Sequence, residues 1–460
     1  MSRDVTEAEF RRLLTLGLDG IERWECGFRS FVTHASLDVP AEQAIRAIDE
    51  LVERLHENYP FFHPDYAGQM LRPPHPITLA AYTVAARINP NNHALDGGPA
   101  TAQLERECID QIAAMFGLRE PYLGHLTTSG TIANLEALWV ASRRKPGKAI
   151  VFSDEAHYTH ARMCELLGVK TIVVPVDGRG RMDLAALEAL DERDDVGTVV
   201  VTAGTTAVGA VDPIDAVVAM AKNRGWRVHA DAAYGGFFAC IASEPAAQLE
   251  QGAWKALAGC DSIVVDPHKH GLQPYGCGAV IFADPNVGAL YRHDSPYTYF
   301  TSKKLHLGEI SLECSRAGAA AAALWATLRV LPLNPAGLGR SLLASRQAAL
   351  AADEATTATQ VLELVVKPEL DIVALVPMKA HEHPKATTVS KRSEKAFEHC
   401  ERGASPLFLA KWRLPEAFGR LALPQLQWDE DHCTVLRSVL MKPEHLDNAA
   451  SIVTRIANAL

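Results

Sequence analysis

The sequence predicts an α/β chain, with a mostly parallel sheet in a large domain followed by a smaller C-terminal α+β domain. Two observations carry this reading. Between about residues 76 and 330, short β-branched runs alternate with helical segments, as strands and crossover helices do when a parallel sheet is covered on both faces. Around LRVLPLNPAGLG (328–339) a cluster of proline and glycine interrupts that rhythm, and a second, smaller set of strand and helix patterns follows. The division is an N-terminal helical arm over 1–75, a large domain over 76–330 and a small domain over 331–460.

The arm opens with helical patterning in EAEFRRLLTLGLDGIERW and AEQAIRAIDELVERLHENY, and ends where five prolines between 60 and 76 stop any helix. It is expected to have no core of its own. The strands of the large domain are AIVF (149–152), KTIVVPV (170–176), TVVVTA (198–203), RVHA (227–230), SIVV (262–265) and GAVIF (278–282). In such folds chemistry collects at the carboxyl ends of the strands. VLELVVKPELDIVALVP and HCTVLRSVLMKP supply the strands of the small domain. Between them the polar stretch 378–403 (MKAHEHPKATTVSKRSEKAFEHCERG) is expected to be a solvated loop or an exposed helix.

With 460 residues, 48% hydrophobic and 22% charged, the chain can bury a large core, which excludes a small disulfide scaffold or a disordered tail. No stretch approaches the roughly 20 apolar residues of a membrane span. The start, MSRDVTEAEFRRLL, lacks the features of a secretory signal, so a cytoplasmic location without a membrane partner is expected. The 45 basic against 55 acidic residues give a net charge of -10, the wrong sign for nucleic acid, and a small molecule is the expected partner. Nine scattered cysteines read as buried thiols in a reducing compartment, and no metal site is expected.

Four clusters follow strands. Thr128-Ser129-Gly130-Thr131 leads into a helix, where free N–H groups and the helix dipole can bind a phosphate; a plain helix cap is the other reading. His157, after AIVFS, can stack on a planar ring or move a proton near neutral pH, or serve structure alone. Asp231, followed by Ala232, Ala233 and Tyr234, can pair with a cationic heterocycle or cap the next helix. Lys269, in Asp266-Pro267-His268-Lys269-His270, follows a buried strand, where desolvation turns an amine into a nucleophile for carbonyls. A phosphate cradle, a stacking histidine, an acid for a ring nitrogen and a Schiff-base lysine are together the parts for pyridoxal phosphate.

The segments TSGTIANLEAL, SDEAHYTHARMCELLGVK, VVTAGTTAVGAVDPI, HADAAYGG and DPHKHGLQPYGCGAVIF, in this order, resemble the group II pyridoxal-phosphate-dependent decarboxylases. That family includes glutamate, aromatic amino acid and archaeal tyrosine/aspartate decarboxylases. The resemblance covers about 75 to 330 and implies the fold type I transferase-like architecture, bound pyridoxal 5'-phosphate and a homodimer with the active site at its interface. It implies that Lys269 forms the Schiff base, that Asp231 pairs with the pyridine nitrogen, and that Ala233 and His157 lie on opposite ring faces. It further implies that Ser129, Gly130 and Thr131 hold the phosphate, with Asp266 and His268 nearby, and that Thr202 lies near the phenolic oxygen. Asp266 departs from the uncharged residue that some members carry there.

By the same resemblance, a tyrosine on a loop before the small domain reprotonates the product. Tyr299 or Tyr297 occupies the corresponding stretch; both can also be packing aromatics, and His157 can serve instead. Arg316 resembles a residue that orients this loop or a carboxylate, with a structural ion pair as the alternative. Arg437 lies on a strand that carries substrate-binding arginines in glutamate decarboxylases, where Met441 takes the place of a second arginine and Lys442 stands next to it. The expected activity is removal of the α-carboxylate of an L-amino acid. Cleavage of a carbon–carbon bond or amino-group transfer on the same scaffold is the alternative, and a catalytically silent binding protein is the rival from another class.

Overall fold

The computed structural model describes residues 3–291 and 310–460. Seven strands form the central sheet: β1 (Leu123–Thr127), β2 (Ala149–Ser153), β3 (Thr171–Val174), β4 (Val196–Thr202), β5 (Arg227–Asp231), β6 (Ser262–Val265) and β7 (Gly278–Phe282). Their order is β1-β7-β6-β5-β4-β2-β3. Strands β2 to β6 pair in parallel, and β7 lies antiparallel between β1 and β6, so β1 points the same way as the parallel set.

Side-chain alternation along the strands sorts residues to two faces. Val199, Val201, Ile263, Val265, Ala279 and Ile281 join one core with Ile109 and Ile112 of the helix Pro99–Met115 and Ile214 and Val217 of the helix Ile214–Arg224. Val264, Val280 and Phe282 face the other way, against Ala133, Ala137 and Val140 of the helix Gly130–Arg144. Burial on both faces is why these strands read as continuous apolar runs. The six expected strands appear as β2 to β7. Strand β1 was not expected: LGHLT has no β-branched run, and it is a strand because Leu123 to Thr127 pair with Phe282 to Gly278.

The second sheet holds β8 (Leu362–Leu364), β9 (Ile372–Pro377), β10 (Ala410–Pro415) and β11 (His432–Val439) in the order β10-β11-β9-β8, all antiparallel. Of the solvated loop or exposed helix expected over 378–403, a helix forms, and the expected exposure is corrected on one face. Ala386–Arg402 is a helix that buries Val389, Ser393, Ala396 and Cys400 against this sheet, because those positions fall on one helical face.

In the arm, the helix Arg3–Glu25 packs on the helix Pro76–Ile88, and Arg87 pairs with Glu25 at 2.7 Å. The helix Ala41–Leu55 buries none of its residues. Ala67 is held by the second sheet, donating to Phe408 O and accepting from Val439 N. The nine thiols are unpaired, and Cys26 and Cys314 are exposed where burial was expected. Among the described residues no helix is long and apolar enough to cross a membrane.

Candidate active site

Because β7 alone runs backwards, the carboxyl ends of the other strands share one edge. There they enclose a cavity of about 280 Å³ lined by Ser129, Gly130, Thr131, His157, Thr202, Asp231, Ala233, Asp266, His268 and Lys269. The fold thus brings every cofactor residue expected from the sequence to one place.

Strand β1 delivers the Thr128-Ser129-Gly130 turn. The Ser129 hydroxyl accepts from Ile132 N–H at 3.3 Å, so it caps the helix, while Gly130 and Thr131 supply first-turn N–H groups that have no acceptor within their own helix. A Cβ at Gly130 would lie 2.5 Å from Asp266 Oδ2, so only glycine fits. Glu313 fixes the turn from behind, accepting from Thr128 N–H at 2.9 Å and from its hydroxyl.

At the end of β2, the His157 Nδ1 accepts from the Thr159 hydroxyl at 2.8 Å and from its N–H at 3.4 Å. The ring proton is therefore on Nε2. Burial lowers the pKa of His157, so the ring is neutral at physiological pH.

At the end of β5, Asp231 is 5% exposed. Its Oδ2 accepts from His160 Nε2 at 2.8 Å and its Oδ1 from Ala233 N–H at 3.1 Å. Burial alone would raise its pKa. The hydrogen bond and field of His160, then Lys269 and His229, outweigh it and hold the carboxyl well below the usual range.

At the end of β6, Lys269 Nζ lies 3.1 Å from Asp266 Oδ2. His268 Nδ1 donates to Cys277 O at 2.6 Å, and burial lowers the pKa of His268. Asp266 was expected near the phosphate, where it departs from the uncharged residue of some members, and its carboxylate faces the lysine. Thr202 is held through its N–H by the buried Asp212 at 2.7 Å.

Two side-chain oxygens lining this cavity, Thr202 Oγ1 and Asp266 Oδ1, are buried without a partner among the described residues. Together with the free helix N–H groups, the amine, the ionised carboxylate and the neutral imidazole, they fit a group bearing an aldehyde, a phosphate, a phenolic oxygen and a basic ring nitrogen. Pyridoxal phosphate is such a group.

The two arginines expected at the substrate are placed differently from each other. Arg316 does not line the cavity: its guanidinium is buried against Glu105, Leu126 O and Asn92 O, the structural ion pair held open as the alternative. Arg437 borders an adjoining cavity that shares His157 and Thr206 with the first, and donates to Thr206 O, Ala207 O and Gly68 O. Lys442 faces away, donating to Tyr66 O. Tyr299 and Tyr297 lie outside the described residues. Sequence reasoning missed His160, Glu313 and Tyr275, whose ring lies 4.8 Å from that of His268 in the cavity wall. Only the spacing of three between His157 and His160 at a helix start could have pointed to His160.

Residues 60–376 match the pyridoxal-dependent decarboxylase conserved domain. An L-tyrosine decarboxylase of Enterococcus faecium is 30% identical over 407 residues, covering 67% of this chain and 66% of the relative. A probable L-tyrosine/L-aspartate decarboxylase of Methanothermobacter thermautotrophicus is 32% identical over 320 residues, covering 67% and 81%. The chain spans 59% to 66% of the length of the L-tyrosine decarboxylases that it matches. The crystal structure of Oryza sativa TDC with PLP and tryptamine shares the fold, with a TM-score of 0.77 at 18% identity, covering 100% of this chain and 99% of that one. Mouse CSAD gives 0.75 at 21% identity, covering 97% and 91%. With its conserved domain matched and its cavity suited to the cofactor, pyridoxal phosphate, the chain belongs to the pyridoxal-dependent decarboxylase family.

Proposed function

We propose that the protein removes the α-carboxylate of an L-amino acid as CO2. The observation that carries this reading is the single cavity in which the Lys269 amine meets the ionised Asp231 and the neutral His157. Bound pyridoxal phosphate supplies an electron sink for the pair released when a bond to Cα breaks. The first-turn N–H groups of Gly130 and Thr131 bind its phosphate, and Thr202 Oγ1 offers a hydrogen bond to its phenolic oxygen. Asp231 holds negative charge where a ring N–H needs it, and Ala233 leaves one ring face uncrowded. Asp266 orients the Lys269 amine. His157 covers the other face and holds a proton at Nε2. Three of the five N–H donors of Arg437 are used by carbonyls; the remaining two can orient a substrate carboxylate from the adjoining cavity, and so select which bond breaks.

Tyrosine and aspartate, named for relatives, are the first substrates to test. The proposal includes a cytoplasmic homodimer. Supporting the dimer, the helix Ala41–Leu55 leaves Ile45, Ile48, Leu51, Val52 and Leu55 each 46% to 59% exposed along one stripe, which a second copy would cover. The test is incubation with a panel of L-amino acids, measuring CO2, amine, aldehyde and keto acid separately. CO2 and amine in equal amounts are expected, with Lys269→Ala folded but without visible cofactor absorbance or turnover. Keto acid without CO2 would assign amino-group transfer instead.

A further inference from the structure

The His160 ring is completely buried, and among the described residues its one hydrogen-bond partner is Asp231. Its Nδ1 is buried with no partner, beside the rings of Phe152 at 6.1 Å and His229 at 6.3 Å. A leucine would fill such a place without leaving a polar atom unsatisfied, so packing alone does not account for a histidine there.

The placement of its other nitrogen does. A carboxylate only accepts, so the proton between the two groups belongs to His160 Nε2, and among the described residues this is the one side-chain donor on Asp231. The remaining bond, from Ala233 N–H, goes to the other oxygen. One short turn sets the arrangement. His160 N–H donates to His157 O at 3.0 Å, so the segment that presents the His157 ring to the cavity also presents His160 to the back of Asp231.

We infer that His160 is a positioning residue: it holds the Asp231 carboxylate ionised and aimed at the cavity, so that the cofactor ring nitrogen keeps its proton. The depressed pKa of Asp231, to which His160 contributes more than any other residue, agrees with this geometry. The inference rests on the cofactor chemistry proposed above. It adds a residue that acts through another and touches neither substrate nor cofactor.

The test uses apoprotein of the wild type, His160→Leu and His160→Gln. Fluorescence titration measures the affinity of each for pyridoxal phosphate and for its 1-deaza analogue, in which carbon replaces the ring nitrogen. Wild-type protein should prefer pyridoxal phosphate. In His160→Leu its Kd should rise about 10- to 100-fold, the range for losing a hydrogen bond to a charged group, while the Kd of the analogue moves less than about 3-fold. His160→Gln, whose amide can donate the same bond, should recover most of the preference. If Leu prevents folding, His160→Asn, too short to reach Asp231, is expected to behave as described for Leu. Equal weakening of both ligands, or no weakening of either, overturns the inference while leaving the cofactor reading intact. Wild-type apoprotein that binds neither ligand overturns both.

Discussion

Lys442 is 3% exposed; its ammonium donates to Tyr66 O and lies 5.2 Å over the Tyr66 ring. Burial, helped by the nearby Arg72 charge, lowers its pKa to about 7. In the unfolded chain a lysine titrates near 10.4, so the unfolded state binds more protons between about pH 7 and 10.4. The cost of burying the charge is complete below about pH 7 and disappears as pH rises toward 10.4, by up to about 1.4 kcal/mol per unit. Lys442→Met should therefore stabilise the apoprotein by about 1 kcal/mol or more at neutral pH. Its advantage should shrink steadily by pH 10, as read from urea midpoints; a gain independent of pH would contradict this. Lysine and arginine are also where the sequence misleads. Arg316 and Lys442 were candidate substrate cations, yet each spends donors on backbone carbonyls away from the cavity. Those carbonyls belong to residues 190 and 376 positions away, and a sequence does not display which carbonyls the fold leaves unsatisfied. Lys269, Asp231 and His157 were legible because a strand end fixes their surroundings locally.

At the scale of elements, the pair Arg316–Glu105 ties the chain entering the helix Gly318–Val330 to the helix Pro99–Met115 and to β1. Glu105 also accepts from Leu126 N and Asn92 Nδ2, so Arg316 balances a carboxylate shared by three segments. Arg316→Met should cost about 3 kcal/mol or more, since it strands a buried charge. The double variant Arg316→Met with Glu105→Gln should recover part of the loss, and urea unfolding of the apoprotein measures both. No recovery would mean that the guanidinium acts only through its carbonyl contacts. The parallel strands could be read from the sequence because burial on both faces forces apolar runs. Strand β1 could not, since its partner β7 comes about 150 residues later. The stretch 378–403 was read as a solvated loop or an exposed helix because it is rich in polar and charged residues. Its buried stripe of Val389, Ser393, Ala396 and Cys400 shows only when every third or fourth residue is followed.

At the scale of the whole molecule, the proposed homodimer is tested on the arm. Ile48→Asp combined with Leu51→Asp places charge on the exposed stripe of the helix Ala41–Leu55 without touching the core. It should halve the mass seen by sedimentation while preserving the folding of each chain; a wild type that sediments as one chain would remove the homodimer from the proposal. The three-part division is an expectation drawn from proline clusters and from the change of rhythm near residue 330. The position of β7 has a further consequence. Gly278, its first residue, supports the Ser129 backbone so closely that a Cβ there would come within 2.6 Å of the Ser129 carbonyl carbon. The turn proposed to cradle the phosphate thus has no floor until a stretch made some 150 residues later inserts beside β1. Long-range pairing of this kind is slow to form. Any side chain at residue 278 would push the Ser129 turn from a strand about 150 residues away, so this anion anchor depends on distant tertiary pairing as much as on its own loop.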